Sequence, residues 1–303
     1  MSVLVVGSLG LDDVETPFGR VNAVLGGTVA HFSLAASLYT RVQVVAVVGE
    51  DFPPQYLDLF RQRNIDLGGL QQRPGKTFRW KARYEFDLNV AHTLDTQLNV
   101  FAEFHPLLPE SYRSAPFVFL ANIDPRLQLE VLDQVASPRL VALDSMNFWI
   151  ERSRPLLTEV MRRVHLVLLN EAEVRQYADT HNLYVAARRI LSLGPRALVV
   201  KKGEHGAMLI ERDGEVFVVP ALPLTEVVDP TGAGDSFAGG FMGYLASTGD
   251  LSPAGLRRAM VHGSATASFA VQDFSVRRLV SLTRDEMHAC LQAFRRLTHF
   301  EME

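Results

Sequence analysis

Short runs of almost purely apolar residues constrain this chain most: Val3–Val6, Val42–Val48, Phe117–Leu120, Leu140–Leu143, Leu166–Leu169 and Ala197–Val200. A strand without a polar alternate must be covered on both faces. Helix-length segments lie between the runs, among them Ala30–Leu38, Pro53 to about Arg63, and the Ala-rich stretch Ser252–Val271. Strand and helix in alternation imply an α/β fold, a mainly parallel sheet with helices on both sides. Ligands of such sheets bind beyond the carboxyl ends of the strands. One region breaks the pattern. Phe78, Trp80, Ala82, Tyr84 and Phe86 alternate with Thr77, Arg79, Lys81, Arg83 and Glu85. That period of two predicts a strand with one aromatic and one charged face. With strand-like pieces through Phe101, it predicts a small β-lid from about residues 72–104 and part of 11–25. An aromatic face of that size calls for a cover: a subunit, a substrate, or both. Asp213-Gly214 predicts a hairpin with a type I′ turn.

A second stretch bears on chemistry. Val228-Asp229-Pro230-Thr231-Gly232-Ala233-Gly234-Asp235-Ser236-Phe237-Ala238-Gly239-Gly240-Phe241 runs from small residues into an apolar helix. Gly232 and Gly234 allow a sharp turn and close approach to a ligand. A helix N-terminus offers unpaired N–H donors and partial positive charge, which suits a phosphate. Asp235 in the first turn can take a proton from a hydroxyl while the amides hold the anion. Those are the needs of phosphoryl transfer. A dinucleotide fingerprint fits poorly, because Phe237 stands in the third glycine slot. A plain helix cap explains Asp235 alone. Gly239-Gly240 argues for more, since each glycine costs a helix about 1 kcal/mol against alanine.

Composition narrows the class. The 303 residues are 48% hydrophobic and 21% charged, with net charge −4, so no basic footprint for nucleic acid or acidic membrane is present. Cys290 is the single cysteine; no internal disulfide is possible, and a reducing cytoplasm is the expected compartment. No apolar run approaches a membrane span. Gly-x-x-x-x-Gly-Lys-Ser/Thr does not occur, which sets aside a P-loop.

The motif Asp229-x-Thr-Gly-Ala-Gly-Asp-x-Phe-x-Gly-Gly-Phe resembles the C-terminal signature of the PfkB, or ribokinase-like, carbohydrate and nucleoside kinases. The resemblance extends from Gly7 to about Val276. It implies one ribokinase-like three-layer domain over residues 1–303, with Asp235 as base and Gly232, Ala233 and Gly234 as the anion hole. It implies that Asp12, Gly26, Gly27, His31 and Asn122 bind the substrate. His31 stands where the family has an asparagine. Asp12 also reads as a solvated turn, and Gly26-Gly27 as a tight turn before a close-packed helix. Asn170 and Glu173 match the family's Asn-x-x-Glu, which implies outer-shell roles beside Mg²⁺; a helix cap is the other reading. Thr231, Lys202, Gly203, Gly206 and His262, with Phe274-Ser275, are implied to line ATP. Asp229 is implied to hold a monovalent cation such as K⁺, or it caps a strand. Asp144-Ser145-Met146-Asn147 departs from the family's Asp-x-Asn-x-Arg. The phosphate-neutralising residue is therefore open among Arg152, Arg154 and Lys202. Lys201 occupies the position of a family threonine. The family's lids close over the sugar, and some pair into dimers. The implied activity is transfer of the γ-phosphate of ATP to a small sugar or polyol. A nucleoside acceptor is the alternative, and a non-catalytic binding protein the third reading.

Overall fold

The apolar runs form a sheet whose faces each receive every second side chain. In β1 (Ser2–Val6), Val3 and Val5 join one hydrophobic cluster while Leu4 and Val6 join the other. Each fully buried aliphatic of this kind contributes about 1.5–3 kcal/mol. A computed structural model describes residues 1–299.

The remaining strands are β2 (Gly10–Thr16), β3 (Gly19–Gly26), β4 (Arg41–Gly49), β5 (Ile65–Arg73), β6 (Phe78–Tyr84), β7 (Ala91–Gln97) and β8 (Phe117–Leu120). They continue with β9 (Leu140–Asp144), β10 (Leu166–Asn170), β11 (Ala197–Lys201), β12 (Ala207–Glu211) and β13 (Val216–Val219). Nine form the main sheet in the order β13-β12-β11-β10-β9-β8-β1-β4-β5. It is parallel from β11 to β5, with β12 and β13 antiparallel at one edge. Helices on both faces complete the ribokinase-like α/β architecture. One layer includes Thr28–Ala36, Ala233–Thr248 and Pro253–Ala270. The other includes Arg154–Arg163, Glu171–Ala178 and Leu183–Leu191.

A second sheet, in the order β3-β2-β6-β7, is the lid. Ala82 and Tyr84 are buried and Arg83 exposed, so the aromatic face turns inward. Phe86 does not share it: β6 ends at Tyr84, and Phe86 lies in the following turn at 94% exposure. The lid strands span 10–26 and 78–97. Residues 72–73 end β5 of the main sheet, and Asn99–Glu103 is a short 3-10 turn. Phe104 after it is buried with Leu4 and Val6, so the period-two pattern ends before the expected lid boundary. The β12–β13 hairpin also differs from expectation. Only Gly214 has a positive φ, +102°, and Glu211 N–H donates to the carbonyl of Glu215 at 2.9 Å. A type I′ turn needs positive φ at both central residues.

The paired glycines explain how the Ala233–Thr248 helix seats. A Cβ at Gly239 would stand 2.4 Å from the Phe32 carbonyl oxygen, and one at Gly240 would stand 2.4 Å from Thr266 Oγ1. The helix is wedged between its two neighbours at backbone contact. Among the described residues, no helix is long and apolar enough to cross a membrane. Gly239→Ala is expected to destabilise the protein by about 1–3 kcal/mol through overpacking, reversing the usual helix gain of alanine. Denaturant unfolding of the two proteins measures the difference.

Candidate active site

The carboxyl ends of the parallel strands converge on the start of the wedged helix. Gly232 caps it with φ +73°, a conformation open to glycine and costly for most residues. It has a second reason to be glycine, since a Cβ there would lie 2.2 Å from the His31 ring. The helix begins at Ala233, and Asp235 is in its first turn. Ala233 N–H already donates to the Pro230 carbonyl at 3.1 Å. Gly234 and Asp235 keep the first-turn amides that a helix leaves without an internal partner.

Asp235 is partly buried. Burial, with Asp144 adding repulsion, raises its pKa to about 7, and Lys201 opposes the shift. Lys201 ends β11, and its Nζ donates to Asp144 Oδ2 at 2.7 Å. A Cβ at Gly234 would sit 3.2 Å from that ammonium, so Lys201 forms one side of the amide nest. Burial alone would lower the Lys201 pKa; Asp144 and Glu173 outweigh it and hold the pKa above normal. The lysine that faces the site is therefore Lys201. Lys202, expected to line the nucleotide, pairs with Glu171 at 3.7 Å. Arg154 donates to the carbonyls of Ile150 and Gln176.

Asp12, in β2, is 4% exposed. Its Oδ2 accepts from Gly27 N–H at 3.4 Å, and its buried Oδ1 has no partner. Burial raises its pKa to about 7; the Gly27 amide opposes, while Asp229 and Asp235 add repulsion. A Cβ at Gly26 would fall 2.0 Å from Asp12 Oδ2, so the paired glycines let the carboxylate lie flat on the backbone. His31 is 1% exposed, with neither ring nitrogen partnered. Burial lowers its pKa to about 4. The ring is neutral near pH 7 and floors the Gly232 turn. Asn122, just beyond β8, accepts from Trp149 Nε1 at 3.1 Å.

Asn170 and Glu173 form a full capping box. Glu173 N–H donates to Asn170 Oδ1 and Asn170 N–H to Glu173 Oε2, both at 2.8 Å. The cap reading therefore holds. Glu173 is 8% exposed; burial raises its pKa against the pull of Lys201, with Asp144 adding. Among the described residues, no three His, Cys, Asp or Glu side chains are grouped to hold a metal ion.

Asp229 Oδ1 accepts from Thr231 N–H at 2.9 Å and Oδ2 from Ser275 N–H at 3.2 Å. Ser275 Oγ in turn donates to the Leu25 carbonyl. The carboxylate thus ties its own turn to Ser275, which in turn holds Leu25. Thr231 Oγ1 meets Tyr84 Oη at 3.2 Å, which ties the nest to the lid. Phe274 packs with Val14 and Tyr84 at the lid base. Gly203, with φ +55°, faces Asn89 of the lid turn. Gly206 is fixed by packing: a Cβ would fall 2.1 Å from the Val219 carbonyl oxygen. His262 stacks on Tyr244 at 4.1 Å and meets Tyr39 Oη at 3.3 Å. Tyr244 lies nine residues along the helix from Asp235, about 14 Å at 1.5 Å per residue. His262 therefore packs between helices. The sequence named Lys201, Asp144 and Tyr84, as a threonine replacement, the start of a departing motif and part of the lid face, and gave no sign that they meet at this site. The only sequence signal for the first two was a charged residue ending a buried strand.

The chain matches the model of the "pfkB family carbohydrate kinase" over residues 11–282. It is 32% identical over 251 residues to the cytidine kinase of Thermococcus kodakarensis, covering 80% of this chain and 88% of that enzyme. The crystal structure of the Methanocaldococcus jannaschii nucleoside kinase superimposes with a TM-score of 0.76 at 21% identity, covering 96% and 98% of the two chains. Aminoimidazole riboside kinase from Salmonella enterica, solved with its riboside and an ATP analogue, gives 0.76 at 19% identity, covering 96% and 100%. PfkB kinases use ATP with Mg²⁺. The chain therefore belongs to the PfkB carbohydrate kinase family, phosphotransferases with an alcohol group as acceptor.

Proposed function

We propose that the acceptor is a nucleoside and that the protein transfers the γ-phosphate of ATP to a ribose hydroxyl. The observation that carries this is the similarity to a cytidine kinase along most of both chains. It favours a nucleoside over the bare sugar or polyol expected first from the sequence. The site is compatible. Asp12 has one free buried oxygen beside the Gly27 amide, and a carboxylate can accept from both hydroxyls of a cis-diol. A ribose held by its 2′- and 3′-hydroxyls leaves its 5′-hydroxyl for Asp235. The inward aromatic face of the lid, with Tyr84 and the half-buried Trp80, offers apolar cover for a base.

In this mechanism Asp235 accepts the hydroxyl proton as the oxygen attacks phosphorus. The Gly234 and Asp235 amides hold the charge on the phosphoryl oxygens. Closure through Thr231–Tyr84 keeps water from competing with the acceptor. Asn170 and Glu173, besides capping their helix, would stand beside Mg²⁺, which would supply charge neutralisation to the phosphates. The lid edge β7 is exposed along its whole length, and pairing of two lids into a homodimer is part of this proposal.

Cytidine and other nucleosides are expected to give kcat/KM at least about 100-fold above free ribose or fructose, because a site shaped for a ligand group leaves polar atoms unpaired without it. A coupled ADP-release assay across those acceptors decides it; faster turnover of a free sugar than of every nucleoside ends the nucleoside reading. Catalysis needs ionised Asp235, so kcat/KM should climb through about pH 7 and then level. Asp235→Asn should lower kcat by about 10²–10⁴-fold and remove the Asp235-dependent rise. The folded pKa of Asp235 lies above its ordinary value, so the stability it contributes is present below about pH 4 and lost as pH rises through 7. Asp235→Asn should therefore melt higher than wild type at pH 8, with the gain gone near pH 4.

A further inference from the structure

Lys201 has no assigned role, yet it is the ammonium nearest the first turn of the site helix. It ends β11, in register with Asn170 at the end of β10. Its Nζ is 2.7 Å from Asp144 Oδ2 and would touch a Cβ at Gly234. The side chains at the ends of this ion pair are 17% and 5% exposed. Burying such a pair costs several kcal/mol in desolvation per ion, which the attraction only partly offsets. The pair does not need to be here for packing, since leucine-like side chains fill such positions along the same strands. Three carboxylates face the ammonium from separate elements: Asp144 from β9, Glu173 from the helix after β10, and Asp235 from the site helix. They keep it protonated. Asp144 also accepts from Ser145 N–H at 2.9 Å, which fixes its carboxylate.

We propose that Lys201, oriented by Asp144, is the cation that stabilises the phosphoryl group in flight, on the side of the nest opposite the acceptor. The inference rests on the transfer chemistry of the Asp235 site and holds for any alcohol acceptor. The bond from the β,γ-bridging oxygen to the γ-phosphorus breaks, and a bond from the acceptor oxygen forms. The acceptor proton passes to Asp235, and ADP leaves with the bridging electrons. Lys201 remains an ammonium throughout. It donates to the non-bridging oxygens as their charge becomes most exposed, while Asp144 keeps it from drifting to solvent. Lys201 is thus a catalytic residue and Asp144 a positioning residue. The absence of an arginine after Asp144 is then accounted for: the charge comes from the neighbouring strand.

The test compares Lys201→Met, Lys201→Arg, Lys202→Met and Asp144→Asn with wild type. The first readout is turnover of whichever alcohol the wild type phosphorylates best. Lys201→Met should lower kcat by at least about 100-fold, as for loss of one transition-state donor, with the acceptor KM within about 3-fold. Lys201→Arg should recover part of the loss, Lys202→Met should lose less kcat than Lys201→Met, and Asp144→Asn should lower kcat with KM unchanged. The second readout needs no acceptor. Calorimetry with ADP alone and with ADP plus aluminium fluoride, a flat mimic of the phosphoryl group, should show Lys201→Met binding ADP normally and losing at least about 10-fold of the added fluoride-dependent affinity. Normal ADP binding also establishes that the variant is folded. If Lys201→Met misfolds, Lys201→Gln, which also removes the charge, carries the same two readouts. Retained fluoride-dependent affinity, or Lys202→Met losing more than Lys201→Met, overturns the proposal. Failure of the wild type on every nucleoside with intact fluoride-dependent binding would sink the nucleoside reading and leave this one standing.

Discussion

Backbone contact along one helix face fixes where the chemistry can happen. Gly239 and Gly243 bring the Ala233–Thr248 helix against the Thr28–Ala36 helix, and Gly240 brings it against Thr266 of the Pro253–Ala270 helix. With no side chain between them, the helices cannot slide without clashing or opening a void. The depth of the N-terminus is thereby set, and with it the distance from Asp235 to the ends of β9, β10 and β11. His31 belongs to the same arrangement. It rises from the Thr28–Ala36 helix to support the Gly232 turn, and burial keeps it neutral.

The charges gathered around this end work against folding. Asp12, Asp144, Glu173 and Asp235 converge with one ammonium among them. Desolvation, with like charges adding, raises the pKa values of Asp12, Glu173 and Asp235, the shift that the proposed base calls for. The same forces lower the stability of the empty protein. The surrounding scaffold offsets them: a nine-stranded sheet whose six central strands are buried on both faces, and helices at van der Waals contact. Polar clamps at the rim complete it. Asp229 gathers residues 229–231 and 275, and Ser275 reaches Leu25 at the foot of the lid. The lid meets the nest loop through the hydroxyl contact of Thr231 with Tyr84 and through Val228 packed on Val14 and Tyr84.

Much of this was legible before any coordinates. Continuous apolar runs fixed the parallel sheet, because no other cover satisfies a strand without a polar side. The period of two found β6 and its inward face. It could not find the strand's end, since Phe86 keeps the alternation after the backbone has turned away. Gly239-Gly240 announced close packing, and Asp235 announced its own place, because a first-turn acid after Gly-x-Gly is a local matter. The capping box of Asn170 and Glu173 was equally local.

What the sequence could not decide was which charges meet across the sheet. Lys201 and Lys202 are adjacent and chemically equal, and strand alternation sends them opposite ways, one to Asp144 and one to Glu171. His262 and His31 likewise differ only in what packs around them. Local chemistry and periodicity are written along the chain, so the sequence determined the elements and the acid at the helix start. Pairwise electrostatics depends on distances between residues far apart in the chain, such as 144 and 201, and only the tertiary structure sets those distances.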